Sequence, residues 1–118
     1  MEIKAFDKNN RTHYFLIGKV CTLSDYEELH SLIHDNVKLT NKIIIIDLSR
    51  ITFISSQGLG SLISLSNSLR GTDINLYLFK PRGEIKQELE MAGVNMVIPT
   101  AYTEEELEKM IKVKKKKK

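Results

Sequence analysis

One cysteine, Cys21, occurs in the 118 residues, so the chain can form no internal disulfide and no multi-cysteine zinc site. No apolar run approaches the roughly 20 residues that a membrane span needs. The opening MEIKAFDKNN lacks the apolar stretch of a secretory signal. These absences lead us to expect a reduced, cytoplasmic setting. Length sets a further bound, since a chain of this size can bury one core but not two. Apolar and charged fractions of 42% and 28% are ordinary for a globular domain.

The net charge of +3 conceals an asymmetry. Six of the 18 basic residues are Lys112 and Lys114 to Lys118, which leaves 12 basic against 15 acidic side chains in residues 1–111. The expected domain, 1–111, is therefore mildly acidic, and 112–118 is expected to be a disordered lysine-rich tail. A like-charged run of this kind can also touch RNA or an anionic membrane. It does not make the chain a DNA-binding protein, and no direct DNA contact is expected.

Glu2 to Phe6 and His13 to Gly18 read as two strands, with Asp7 to Arg11 as a hairpin connection. Ser24 with Glu27 predicts a capping box, and Tyr26, Leu29, Leu32, Ile33 and Val37 follow at helical spacing. Four consecutive isoleucines, Ile43 to Ile46, suit a strand buried on both faces and ending at Asp47. A second helix is predicted from Gln57 to Arg70, with Leu59, Leu62, Ile63 and Leu69 on one face. Ile74 to Phe79 predicts a strand, and Ile85, Leu89 and Ala92 mark a third helix stopped by Gly93. A brief strand near Met96 to Ile98 follows, and Thr103 with Glu106 opens the last helix. The order ββαβαβαβα predicts an α/β fold, with a mostly parallel central sheet, an N-terminal hairpin and about four helices.

The stretch from Asp47 to Gly60 carries the chemistry. It leaves the central strand, crosses a short loop and enters the second helix, with Ser55 or Ser56 at the N-cap. Free N–H groups and the positive end of the helix dipole favour a negative group there. A phosphoserine at this point would be accommodated, and would place up to about two negative charges on a surface that a partner could otherwise pack against. Capping alone accounts equally well for the serines, and Gly58 and Gly60 equally fit a close approach of the helix to the sheet.

Asp47-Leu48-Ser49, Phe53, Ser56 and Gly58-Leu59-Gly60 together resemble the signature of STAS domains, named for sulfate transporters and anti-sigma factor antagonists. Gly18-Lys19-Val20, Lys80-Pro81 and Ala92-Gly93 also sit where that family has strand ends and turns. The resemblance is strongest to the small free-standing bacterial antagonists. It implies partner switching without catalysis or a cofactor. An unphosphorylated antagonist binds an anti-sigma factor that is also a serine kinase of the histidine-kinase-like ATPase fold. A sigma factor is thereby freed for transcription, phosphorylation breaks the complex, and a PP2C-type phosphatase restores it. Carried over by position, the phosphoacceptor is Ser56, with Ser55 as second candidate. Cys21, Thr22, Ser55, Gln57, Gly58 and Leu59 would form the partner-binding surface. This chain has Ser55 and Cys21 where many members have aspartate, and Gln57 where serine or alanine is common, so its loop is less negative.

Other readings fit less well. A response-regulator receiver would use Asp47 and Lys80, but Cys21-Thr22-Leu23 stands where magnesium-binding carboxylates are needed. Gly58-x-Gly60 continues to Ile63 and not to a third glycine, and no nucleophile elbow surrounds Ser56. His30 and His34 could pair on a helix, yet no third metal ligand is suggested. Within the family, the alternative is a STAS scaffold or binding module that is never phosphorylated.

Overall fold

The computed structural model describes residues 1–36 and 42–116. The chain opens with an antiparallel hairpin, β1 (Glu2–Lys8) and β2 (Arg11–Val20). Lys8 pairs with Arg11, so the turn is only Asn9-Asn10, tighter than the connection predicted. Both asparagines have positive φ, 54° and 64°, which suits the two-residue turns that match strand twist. Then follow α1 (Leu23–Asn36), β3 (Ile43–Ile54), α2 (Ser56–Leu69), β4 (Asn75–Phe79), α3 (Gly83–Met91), α4 (Val94–Val97), β5 (Thr100–Ala101) and α5 (Glu104–Lys116).

The strands lie in the order β1-β2-β3-β4-β5, with β2 to β5 parallel. Each new parallel strand is added on the same side of the last. Right-handed crossovers then place every connecting helix on one face of the sheet. The core reflects this. Leu29 and Ile33 of α1, Leu59, Leu62, Leu65 and Leu69 of α2, Ile85 and Leu89 of α3, and Val94 of α4 pack with Tyr14, Leu16, Ile44, Ile46 and Leu78. On the opposite face, among the described residues, α5 is the one helix that supplies buried residues, Leu107 and Ile111, against Ile45, Tyr77, Phe79 and Ala101. Ile44 and Ile46 thus point to one layer and Ile45 to the other, the two-sided burial that the isoleucine run predicts.

Several boundaries differ from expectation. The central strand does not stop at Asp47 but continues to Ile54, and the residues expected to form a loop are strand. Two register shifts against β2, between Phe15 and Ile17 and between Gly18 and Lys19, absorb extra residues of β3 and break its alternation. The strand predicted near Met96 to Ile98 is instead the short helix α4. Gly93 in the left-handed region (φ 74°) lets the chain restart a helical turn that buries Val94, and β5 begins after Pro99. Among the described residues the helices accordingly number five.

The first capping box lies two residues earlier than predicted. Thr22 Oγ1 accepts from the Asp25 N–H (3.1 Å), and Asp25 Oδ2 accepts from the N–H of Thr22 (3.1 Å). Of the predicted α1 face, Leu29 and Ile33 are buried and Leu32 is exposed, while Val37 lies outside the described residues. The Thr103 cap is present, its Oγ1 accepting from the Glu106 N–H at 3.1 Å. Helix α5 is described as far as Lys116. Lysine is a good helix former.

Candidate functional site

The segment from β3 into α2 meets the segment from β2 into α1 at the carboxyl end of the parallel sheet. Ser55 N–H donates to Val20 O (3.1 Å), which ties the two together. Ser55 is the N-cap of α2, in extended conformation. Its Oγ accepts from the Gly58 N–H (3.0 Å) and donates to Cys21 O (3.0 Å). A hydroxyl engaged both ways, on a half-buried residue, is a structural cap.

Ser56 is different. It is the first residue of α2 and exposed, and its hydroxyl makes no hydrogen bond among the described residues. No acidic side chain occupies the first turn of α2, so the positive end of the helix dipole has no carboxylate of its own there. The geometry therefore separates two adjacent serines that the sequence left alternative.

Of the six residues expected at a partner-binding surface, Thr22 and Gln57 are exposed, and Cys21 and Ser55 are half-buried. Gly58 and Leu59 turn inward instead, Gly58 against Val20 and Ile54 and Leu59 into the core. They position the helix start and are not displayed on it. Gly60 is exposed, with open space where a side chain would be, so close packing does not explain it.

Three contributors escaped the sequence reading. Asp25 holds the Cys21-Thr22 turn, accepting from the Cys21 N–H at 2.9 Å. Burial opposes its ionisation, but the N–H groups of Cys21 and Thr22, with the N-terminal ammonium 3.6 Å away, hold its carboxyl below the ordinary aspartate value. Its signal was a threonine followed three residues later by an acid. Phe53 and Leu23, 49% and 56% exposed, lie just before Ser55 and just after Thr22. They offer apolar surface on both segments, and Phe53 would have been visible had β3 been extended past Asp47.

Asp47 is only 3% exposed. Its Oδ1 accepts from the N–H (2.9 Å) and hydroxyl (2.6 Å) of Ser49, and Oδ2 faces His13 Nε2 at 3.1 Å. These bonds tie it to the adjacent strand residues, and burial removes it as an accessible phosphoacceptor. The rings of His30 and His34 lie 4.0 Å apart between centroids, tilted by 32°, and His34 Nε2 meets Ser68 Oγ at 3.4 Å. Burial, together with the neighbouring His34, lowers the pKa of His30. Among the described residues, no three His, Cys, Asp or Glu side chains converge on a metal position, and no helix is long and apolar enough to cross a membrane.

A family model described as "STAS domain" matches residues 8–107. Solved structures of similar fold include an anti-sigma factor antagonist from Mycobacterium paratuberculosis (19% identity, 94% of this chain and 93% of that one, TM-score 0.77). The Bacillus cell fate determinant SpoIIAA in its phosphorylated form aligns at 18% identity over 93% of this chain and 99% of its own, with TM-score 0.65. A variant of Moorella thermoacetica RsbS aligns at 15% identity over 98% and 99%, with TM-score 0.75. At these identities the likeness shows a shared fold. No curated protein sequence matches the chain significantly.

Proposed function

The chain belongs to the STAS domain family, and from that premise we propose that it is a bacterial anti-sigma factor antagonist switched by phosphorylation of Ser56. In its unphosphorylated form it binds an anti-sigma factor that is also a serine kinase of the histidine-kinase-like ATPase fold, and so frees a sigma factor. The kinase transfers the γ-phosphoryl group of ATP to Ser56 Oγ, with loss of the hydroxyl proton and release of ADP. A PP2C-type phosphatase hydrolyses the ester and resets the switch. The chain supplies no catalytic group, and the cycle runs in the cytoplasm.

The observation that carries this reading is the contrast between the two serines. Ser55 Oγ is bonded on both sides, while Ser56 is exposed at the start of α2. A phosphate on Ser56 would add up to about two negative charges beside exposed Thr22 and Gln57. A partner packed on neutral, partly apolar ground would lose contact there, at the cost of burying an unpaired charge. The phosphate itself would be tolerated by the free N–H groups of the first turn.

Two substitutions favour a second reading. Cys21 and Ser55 leave the segment without the aspartates common in the family, which suits a scaffold module that binds without being modified. Intact mass after incubation with ATP and each candidate anti-sigma kinase distinguishes the two. Gain of one phosphate, mapped to Ser56 and absent in Ser56→Ala, is the expected result. No gain with any kinase, alongside a stable complex with one of them, would replace the switch with the scaffold.

A further inference from the structure

Helix α5 packs on Ile45 of β3 and on β4 and β5, and leaves the β1–β2 side of its face of the sheet uncovered. That side holds a groove of about 460 Å³, on the opposite face from α2. That volume falls in the range of small-molecule sites. Phe15, Ile45, Phe79 and Leu107 line it. Beside them the rings of Phe6, His13 and Phe15 stand nearly parallel, with centroids 5.1 Å apart for Phe6 and His13 and 4.6 Å for His13 and Phe15. The His13 ring is held by buried Asp47.

Two cations of this groove are placed on its aromatics. Arg50 Cζ lies 4.7 Å from the centroid of Phe15, and Lys80 Nζ lies 5.1 Å from that of Phe79. Lys8 stands on the β1 side. Two of the three carboxylates in the lining are already engaged, Glu108 by both guanidinium nitrogens of Arg11 and Asp47 by His13 and Ser49. The third, Glu104, belongs to α5. Among the described residues, neither Arg50 nor Lys80 has a carboxylate partner.

We propose that this groove binds a small aromatic carboxylate, its ring packed beside Phe6 and Phe15 and its carboxylate between Arg50 and Lys80. An aromatic body gains offset stacking and apolar burial. A carboxylate gains charge-assisted hydrogen bonds from cations that have no other acidic partner. A neutral aromatic would take only the first gain, and an aromatic cation would be repelled by the same two side chains. The groove opens to solvent, which keeps the affinity modest, with Kd about 0.1–1 mM.

The test is a titration of the 15N-labelled full chain with 1-naphthoate, followed by amide chemical shifts and with no kinase present. Saturable shifts are expected at Phe15, Arg50, Phe79 and Lys80 but not at Ser56 or Gln57. The neutral analogue 1-naphthalenemethanol is expected to bind about tenfold more weakly, and Arg50→Gln/Lys80→Gln to weaken naphthoate by a similar factor. Equal binding of the neutral analogue to the unmodified protein would reduce the groove to an apolar surface and overturn the proposal. Shifts that do not saturate by about 10 mM, or that map elsewhere, would also overturn it. None of these outcomes depends on whether Ser56 is phosphorylated.

Discussion

Gly58 lies so close to Val20 that a Cβ built on it would stand 2.3 Å from the Val20 carbonyl oxygen and 2.9 Å from Ile54 Cγ1. The first turn of α2 is therefore pressed onto the end of β2, and only a residue without a side chain permits the approach. Two residues on, a Cβ at Gly60 would meet nothing within 4 Å. Gly58→Ala is expected to destabilise the fold by about 1–3 kcal/mol through forced displacement of backbone. Gly60→Ala should stabilise it by about 0.5–1 kcal/mol, as alanine replaces glycine inside a helix. Urea midpoints of the two variants should move in opposite directions.

The two serines should separate in stability as they do in geometry. Ser55→Ala removes the cap of α2 and the bond to Cys21 O, with an expected loss of about 1 kcal/mol. Ser56→Ala removes no hydrogen bond and should leave the urea midpoint unchanged. A Ser56→Ala protein as destabilised as Ser55→Ala would mean that the cap has been assigned to the wrong residue.

Asp47 predicts a pH dependence. Burial alone would raise its carboxyl pKa, but the hydrogen bonds from His13 and Ser49 outweigh burial and hold it below the ordinary aspartate value. Its folded pKa is thus below its unfolded one, near about 3.9. The stabilisation is fully present above the unfolded pKa and lost as pH falls through the folded one. Urea midpoints should decline for the unmodified protein below about pH 4. Asp47→Asn should show a shallower decline over the same interval.

Arg11 and Glu108 join β2 to α5 through both guanidinium nitrogens, and both side chains are partly exposed. Arg11→Ala is expected to cost about 0.5–1 kcal/mol at low salt, and less as salt rises. Amide exchange should report the same change as faster exchange confined to α5. Acceleration spread evenly through α1 and α2 would contradict a local tie.

Much of the fold is legible because its strongest signals are local. The isoleucine run from Ile43 predicts two-sided burial without reference to any other segment, and Thr103 with Glu106 marks a helix start. The continuation of β3 to Ile54 is not legible in the same way. Its two register shifts move side chains from one face to the other, so Ser49 to Phe53 show no period of two. Met96 to Ile98 looks like a strand for a different reason, since three apolar positions carry too little pattern to decide. The Ser56 segment could be placed from its motif, but not the choice between Ser55 and Ser56. That choice depends on which residue turns out to be the cap. The groove was out of reach altogether, because Phe6, His13 and Phe15 become neighbours only through the hairpin register, in which Phe6 opposes His13.

The unbroken strand order β1-β2-β3-β4-β5 also bears on how the chain is made. During synthesis, each strand leaving the ribosome finds its neighbour already present, and no gap in the sheet waits for a later segment. Domains commonly fold as they emerge, and here assembly can proceed by growth at a single advancing edge. Helix α5 follows the last strand and closes the second face over Ile45, Tyr77, Phe79 and Ala101. Until α5 has emerged, the completed sheet would leave Tyr77 and Phe79 uncovered. That nascent form, and not the finished protein, is the state in which this sequence is most exposed to self-association.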